Sequence, residues 1–161
     1  MNELMSEQLR EAILIQVGHE KFNANLYQFI GAFLKNKGFD NLAKIFEHQW
    51  EEEEHHAKML IDLLTDLDVD VTIPNIPESN VPFMNIGQIA QFYFDREFKT
   101  TQSLKELRDF AIDDGNSIVE EKIREMISMQ QVEMREALDF VHRSGYCGDD
   151  WFKVMLWDLA V

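Results

Sequence analysis

The chain has 161 residues, of which 45% are hydrophobic, and its formal net charge is −15. This length and apolar content suit a single domain that spans residues 1–161 around one hydrophobic core, and they argue against disorder. The negative charge argues against nucleic-acid binding, because a phosphate backbone repels an acidic surface, and it favours cations as partners.

Residues that break helices are scarce along the chain. It contains only seven Gly and three Pro, and all three Pro lie between residues 74 and 82. This favours an all-α fold. The single Cys147 cannot form an internal disulfide, residues 1–14 lack a signal-peptide apolar stretch, and no run approaches the ~18 apolar residues of a membrane span. We therefore expect a cytoplasmic protein without a membrane span.

Helical periodicity predicts a four-helix bundle followed by a short C-terminal segment. The helices are expected at residues 5–34, 41–67, 85–112 and 116–143. Short connections join the first two helices and the last two, which should therefore be antiparallel. The second and third helices are joined by the proline-rich residues 68–84. This segment can reach about 56–60 Å, more than the ~40 Å length of a neighbouring helix, so it can cross the bundle and make these two helices parallel.

The C-terminal segment covers residues 149–161. Its sequence is apolar on nearly all sides, so it must be buried against another surface. That surface could belong to its own bundle, to another subunit, or to a different partner or a membrane.

The inward row of the second helix carries two polar residues. Its positions alternate in steps of four and three, as in a bundle core, and Glu53 and His56 interrupt a largely apolar row. The pair Glu52 and His55 has the same spacing but falls on the flank. Because a single Glu-x-x-His pair is more often a solvated surface pair, it predicts a site only in combination with the other helices.

Each of the other helices also places a polar residue near its midpoint. The inward rows of the first and third helices carry Glu20 and Glu97. Two inward rows fit the fourth helix, one through Gln131 and the other through Gln130 and Glu133. Since the midpoints of bundled helices lie at one level, these side chains should converge.

A metal site would account for this polar layer. Buried unpaired carboxylates cost several kcal/mol and repel one another, and no Lys or Arg lies in the central part of the first three rows. The carboxylates must therefore take up protons or bind cations. Oxygen ligands with one imidazole suit iron, and also zinc or manganese, and Glu53 or Glu97 could bridge two ions.

The motifs resemble those of the non-haem ferritins, both heavy-chain-like and bacterial, over most of the chain. The resemblance implies a ferritin-like four-helix bundle with one long crossover between the second and third helices and a short C-terminal fifth helix at residues 149–160. The resemblance also favours Gln131 over Gln130 as the inward glutamine of the fourth helix. The similar segments are 19–22 with Tyr27, 52–58, 95–97 and 130–132.

The resemblance also implies a role for each site residue. One iron would be bound by Glu20 and His56 and the other by Glu97, with Glu53 between them. Gln131 would lie near the second iron, and Tyr27 would hydrogen-bond near the centre.

A further iron site occurs in many bacterial members of the family. Here Gln130 and Met134 stand where Glu is usual, whereas Glu133 is retained. We therefore expect Glu52 and Glu133 to form a weak transit site at most.

Iron storage with ferroxidase activity is the function that the resemblance implies. Fe²⁺ would be oxidised by O₂ or H₂O₂ at a di-iron centre, and the ferric mineral would be stored in a homo-oligomeric cage of 24 subunits. One alternative is a di-iron oxidase or peroxidase of the rubrerythrin or bacterioferritin type, although the fourth helix lacks the second Glu-x-x-His motif of that class. Another is a non-enzymatic, acidic helical interaction module.

Overall fold

The computed structural model describes residues 4–161 and contains five helices. The described residues include no β-strand, which confirms the all-α prediction. Helix bounds differ from the predicted ones by at most two residues. The predicted domain (residues 1–161) and the N-terminal segment predicted to lack a signal peptide (residues 1–14) both include residues 1–3. These three residues lie outside the described part of the chain. In order, the helices are α1 (Glu7–Asn36), α2 (Asp40–Asp66), α3 (Ile86–Asp113), α4 (Ser117–Gly145) and α5 (Trp151–Ala160).

Polar caps and two glycines define the ends of the long helices. Ser6, Asn85 and Asn116 each accept a hydrogen bond of 2.9–3.1 Å from the backbone N–H three residues later, which satisfies a donor that the first helical turn leaves free. Gly38 and Gly115 follow α1 and α3 with φ angles of 86° and 71°, a conformation that glycine adopts without steric cost. These tight turns make α1–α2 and α3–α4 two hairpins.

The segment between α2 and α3 follows the full length of the bundle. Near its start the backbone carbonyl of Asp70 accepts a 2.8 Å hydrogen bond from Arg10 Nε, in the first turn of α1. Near its end the ring of Phe83 lies 5.9 Å from that of Phe33, close to the last turn of α1. Since Arg10 and Phe33 are about 35 Å apart along the helix, the segment crosses the bundle, and α2 and α3 run parallel as predicted.

A polar layer divides the core into two hydrophobic clusters. One cluster includes Leu9 and Leu60, and the other includes Tyr27 and Phe46. Between the clusters, near the midpoint of all four long helices, lies a set of buried polar side chains. These are Glu20, Asn23, Glu53, His56, Glu97, Thr100, Gln130 and Glu133. No helix among residues 4–161 combines the length and apolar character that crossing a bilayer requires.

One face of α5 packs on the end of its own bundle. Trp151 stacks on Phe39 with 5.7 Å between ring centroids, and the ring of Trp157 lies 4.8 Å from that of Phe140. Sequence analysis left open which surface would bury this segment, and the structure shows that its own bundle covers one face of α5. The opposite face is exposed in the single chain and consists of Phe152, Met155, Leu156 and Leu159.

Asp158 of α5 caps the start of α2. The N-cap residue Phe39 has no side chain that can accept a hydrogen bond. Instead, Asp158 Oδ1 accepts a 2.7 Å bond from the Leu42 N–H, and Asn41 Nδ2 donates to the Asp158 carbonyl at 3.1 Å. A carboxylate at this position also faces the positive end of the α2 dipole. The contact fixes α5 to the bundle.

We expect Asp158→Ala to lower the free energy of unfolding by about 1–2 kcal/mol, because the substitution leaves a buried backbone N–H of α2 without its acceptor. Urea unfolding at fixed chain concentration measures this loss. Asp158→Asn retains an acceptor and should recover about half of it, whereas Asp149→Ala, at an exposed position just before α5, should change stability by less than about 0.5 kcal/mol. Equal losses for Asp158→Ala and Asp149→Ala would contradict the capping role.

Candidate metal centre

Carboxylates from all four long helices meet with one imidazole at the centre of the bundle. Glu20, Glu53 and Glu97 are fully buried, and His56 is 1% exposed. Each lies on the inward row on which the sequence placed it. Glu133 joins them from α4 and is 5% exposed, so it takes a more central position than the weak transit site expected for it.

Two groups of potential ligands share Glu53. In the first, one side-chain atom from each of Glu20, Glu53 and His56 lies within 4.8 Å of the others, and in the second the same holds for Glu53, Glu97 and Glu133. Since Glu53 has two oxygens and belongs to both groups, it lies between two adjacent positions for a cation. This arrangement can hold a pair of ions with a shared carboxylate.

His56 contacts acids through both ring nitrogens. Its Nδ1 lies 3.6 Å from Glu53 Oε2 and 3.9 Å from Glu20 Oε2, while its Nε2 lies 3.5 Å from Glu133 Oε1. A third group combines the half-buried Glu52 with His56 and Glu133, again within 4.8 Å. Glu52 therefore lies beside the shared site, next to Glu133.

The choice of Gln131 over Gln130 is wrong. Gln131 is exposed, and Gln130 is fully buried in the polar layer. The physical reason is the rotation of α4 about its axis: its buried row contains Ile123, Met126, Gln130 and Glu133, the second of the two rows that fitted this helix. Adjacent residues in a helix point about 100° apart, so a one-residue error moves a side chain from core to solvent.

Hydrogen bonds orient the carboxylates unequally. Glu97 accepts from the Tyr27 hydroxyl through Oε1 and from Gln130 Nε2 through Oε2, and Gln130 Nε2 also lies 3.3 Å from the Glu97 carbonyl. Glu20 Oε1 accepts a 2.9 Å bond from Gln16 Nε2. Sequence analysis assigned no role to Gln16, although its position four residues before Glu20 on the same inward row was a usable signal.

Burial makes the ionised form of these acids costly. It raises the pKa of Glu53 well above its usual range, and the nearby Glu20 raises it further. Burial raises the pKa of Glu133 to about 10 and that of Glu97 to about 6. The pKa of His56 is lowered, again by burial, which keeps the imidazole neutral and able to bind a metal. A bound cation would remove the cost of ionising the acids.

The donor set fits a cation such as Fe²⁺. Within residues 4–161, several buried ligand atoms accept or donate no hydrogen bond, a state that proteins rarely tolerate without a ligand. Carboxylate oxygens with one imidazole suit iron, zinc or manganese. The atoms without a hydrogen bond are Glu20 Oε2, both carboxylate oxygens of Glu53 and Glu133, both ring nitrogens of His56, and Gln130 Oε1.

A family model described as a ferritin-like domain matches residues 10–143. The chain belongs to this family. Among its relatives, Ferritin BfrB of Mycolicibacterium smegmatis is 27% identical over 139 residues, which cover 86% of this chain and 77% of that protein. A bacterial non-heme ferritin of Staphylococcus haemolyticus is 25% identical over 108 residues, which cover 67% of this chain and 65% of that protein.

Solved ferritin structures share the fold. The open pore ferritin of the hyperthermophilic archaeon Archaeoglobus fulgidus matches with a TM-score of 0.92 and 21% sequence identity, covering 97% of this chain and 95% of that one. This likeness confirms the ferritin-like architecture that the sequence motifs implied.

In the metal-free ferritin-like chain, we expect stability to fall as pH rises from about 6 to about 8. The pKa of Glu133 rises from its ordinary value of 4.5 to about 10 on folding. In this range the folded chain therefore keeps a proton that the unfolded chain has lost, and rising pH favours unfolding by up to about 1.4 kcal/mol per pH unit for one such group. Urea unfolding of chelator-treated protein at the two pH values measures the slope.

The isosteric variant Glu133→Gln provides the test of this assignment. It removes the titrating group, so the loss of stability between about pH 6 and pH 8 should shrink. Glu106→Gln, at an exposed position on α3, makes the same change of charge and should keep the wild-type slope. Parallel slopes for all three proteins would refute the buried-carboxyl explanation.

Proposed function

We propose that this chain is a ferroxidase that oxidises Fe²⁺ at the buried carboxylate cluster and stores the ferric product inside a cage of its own copies. The observation that carries the proposal is the pair of ligand groups joined by Glu53, with a neutral imidazole on one side. The membership of the ferritin-like family and the relatives named as ferritins support it.

Each residue of the cluster then has a distinct part. Glu20 and His56 bind one Fe²⁺, Glu97 and Glu133 bind the other, and Glu53 lies between the two. Gln130 replaces Gln131 in this scheme. It acts through its hydrogen bond to Glu97, whose Oε1 is held by Tyr27.

The surroundings of the cluster favour oxidation of bound iron. Binding of Fe²⁺ displaces the protons that Glu53 and Glu133 hold, because a ligating carboxylate is deprotonated. Each Fe²⁺ gives one electron to the oxidant, O₂ or H₂O₂, and the anionic oxygens stabilise the higher charge of Fe³⁺. The flanking apolar clusters exclude bulk water. Glu52, beside the shared site, offers a ligand for iron that is leaving.

Assembly into a cage, with 24 subunits as the expected number, completes the storage function. The apolar outer face of α5 supports assembly, because an exposed patch of this kind is normally buried by a partner. The burial of Glu20, Glu53, Glu97 and Glu133 favours iron storage over a non-enzymatic interaction module, because an acidic docking surface would need its carboxylates exposed to solvent. A cytoplasmic location is part of the proposal, and the free thiol of Cys147 is consistent with a reducing compartment.

The ferroxidase proposal predicts that chelator-treated protein binds two Fe²⁺ per chain in an anaerobic titration and oxidises them faster than buffer after addition of O₂. Loss of the shared carboxylate in Glu53→Ala should abolish the pairing of the ions and slow oxidation at least about tenfold. Stopped-flow absorbance measures the rate, and isothermal titration calorimetry measures the stoichiometry. Wild-type stoichiometry and rate in Glu53→Ala would end the proposal, and parallel runs with H₂O₂ identify the oxidant.

Two neighbouring glutamines give a matched control for the same assay. Gln130→Leu removes a donor to Glu97 and should slow oxidation several-fold, whereas Gln131→Leu, at an exposed position, should leave the rate unchanged. The reverse order of effects would show that α4 is rotated differently in the active protein.

Cage assembly predicts a species of several hundred kDa from this 19.0 kDa chain. Size-exclusion chromatography with light scattering measures the mass. Leu159→Glu places a charge on the exposed face of α5 and should shift the protein towards smaller species. Glu106→Lys, on the exposed side of α3, is the control. A monomeric wild-type chain would exclude storage in a cage.

A further inference from the structure

A cavity of about 630 Å³ lies between α2, α4 and the end of α5, outside the carboxylate cluster. This volume is within the range of small-molecule sites. Aromatic rings form much of its wall: Phe140 lies 5.9 Å from Tyr93 and 4.8 Å from Trp157, between ring centroids, and the rings are tilted by 79° and 52°. Walls of this kind accommodate a flat ring.

Three residues that line the cavity carry buried polar atoms without a partner. Within residues 4–161, Tyr93 Oη, Gln49 Oε1 and Trp157 Nε1 form no hydrogen bond. Tyr93 is fully buried and Gln49 is 1% exposed, so bulk water does not replace the missing partners. Gln49 Nε2 is already used, since it donates to Glu136 Oε2 at 2.9 Å. The wall thus offers a hydroxyl, a carbonyl acceptor and an indole donor.

The same cavity has cationic side chains without acidic partners. Lys44 and Arg143 line it, and neither forms an ion pair within the described residues. Two acids also line it, but within the described residues neither forms an ion pair with Lys44 or Arg143. Asp139 pairs with Arg135 at 3.0 Å, and Glu136 accepts a hydrogen bond from Gln49 in the same wall. On a chain with a net charge of −15, two free cations at one cavity favour an anionic group on the ligand.

We propose that this cavity binds a planar heteroaromatic molecule that carries an anionic group. The ring lies against Phe140 and Trp157, its polar edge pairs with Tyr93, Gln49 and the Trp157 indole N–H, and its carboxylate or phosphate pairs with Lys44 and Arg143. The site is independent of the carboxylate cluster and requires no metal.

Flavin mononucleotide and riboflavin are suitable probes, because they share a ring with donor and acceptor edges and differ by one phosphate. Metal-free protein, in the assembly that it forms in solution, should bind flavin mononucleotide saturably at one site per chain. Stacking on Trp157 should quench flavin fluorescence. Riboflavin should bind about 10–100-fold more weakly, since it lacks the anionic group that both cations contact. Inorganic phosphate alone should not displace riboflavin.

Variants assign the binding to this cavity. Lys44→Ala and Arg143→Ala should each weaken flavin mononucleotide about 3–10-fold and leave riboflavin unchanged. Tyr93→Phe keeps the ring and should weaken both probes by a similar factor, because it removes one hydrogen bond. Lys105→Ala, at an exposed position on α3, is the charge-matched control and should bind both probes normally. Thermal midpoints show that each variant is folded.

Several results would overturn the proposal. They are the absence of saturable binding of both flavins, as expected if a neighbouring copy fills the cavity; equal binding by all variants; and competition by inorganic phosphate together with no riboflavin binding, which would reveal an anion site only.

Discussion

The mutual repulsion of carboxylates buried at one level of a helix bundle is the constraint on which the rest of this structure depends. Glu20, Glu53, Glu97 and Glu133 interrupt the apolar core where its packing would otherwise be continuous. Ionised acids so close together, away from water, cannot coexist without a compensating cation or bound protons. The two flanking apolar clusters must therefore stabilise a layer that is itself destabilising in the metal-free chain. Under the proposed function, the chain gives up stability at the site where iron would bind.

The crossover and a set of polar contacts fix the geometry of the layer. The crossover from Asp70 to Phe83 is anchored near both ends of α1, so α2 and α3 run in the same direction. The polar side chains of α1 and α3 are then joined by short contacts: Asn23 Nδ2 donates to Thr100 Oγ1 at 2.8 Å, and Arg96 Nε donates to Asn23 Oδ1 at 2.8 Å. These bonds fix the height of Glu20 relative to Glu97.

The sequence predicted the helices, the crossover and three of the four contributions to the layer because these depend on periodicity and chain length. The row on α2 was well defined, since Glu53 and His56 share it with many leucines and their neighbours do not. On α4 two rows were almost equally apolar, and a one-residue difference between Gln130 and Gln131 lay below what periodicity resolves; tertiary packing decided it. The surface against which α5 is buried could not be predicted either, because a helix that is apolar on nearly all sides does not indicate which of its faces packs inward. The cap that Asp158 provides to α2 joins residues more than a hundred positions apart, and no local pattern encodes such a contact.

Differences in hydrogen bonding divide the acids of the layer into fixed and adaptable ligands. Glu97 and Glu133 are both buried, yet the pKa of Glu97 rises only to about 6, whereas that of Glu133 rises to about 10. The reason is that Tyr27 and Gln130 donate to the two oxygens of Glu97, and donors of this kind stabilise the ionised form. Burial raises the pKa of Tyr27, so its phenol remains protonated and continues to donate. Within residues 4–161, no hydrogen-bond donor holds either carboxylate oxygen of Glu53 or Glu133, so these two side chains are less fixed than that of Glu97. For the proposed iron site, Glu97 is thus the pre-oriented ligand, and Glu53 and Glu133 are the acids that would adjust to an ion as it arrives, changes charge and leaves.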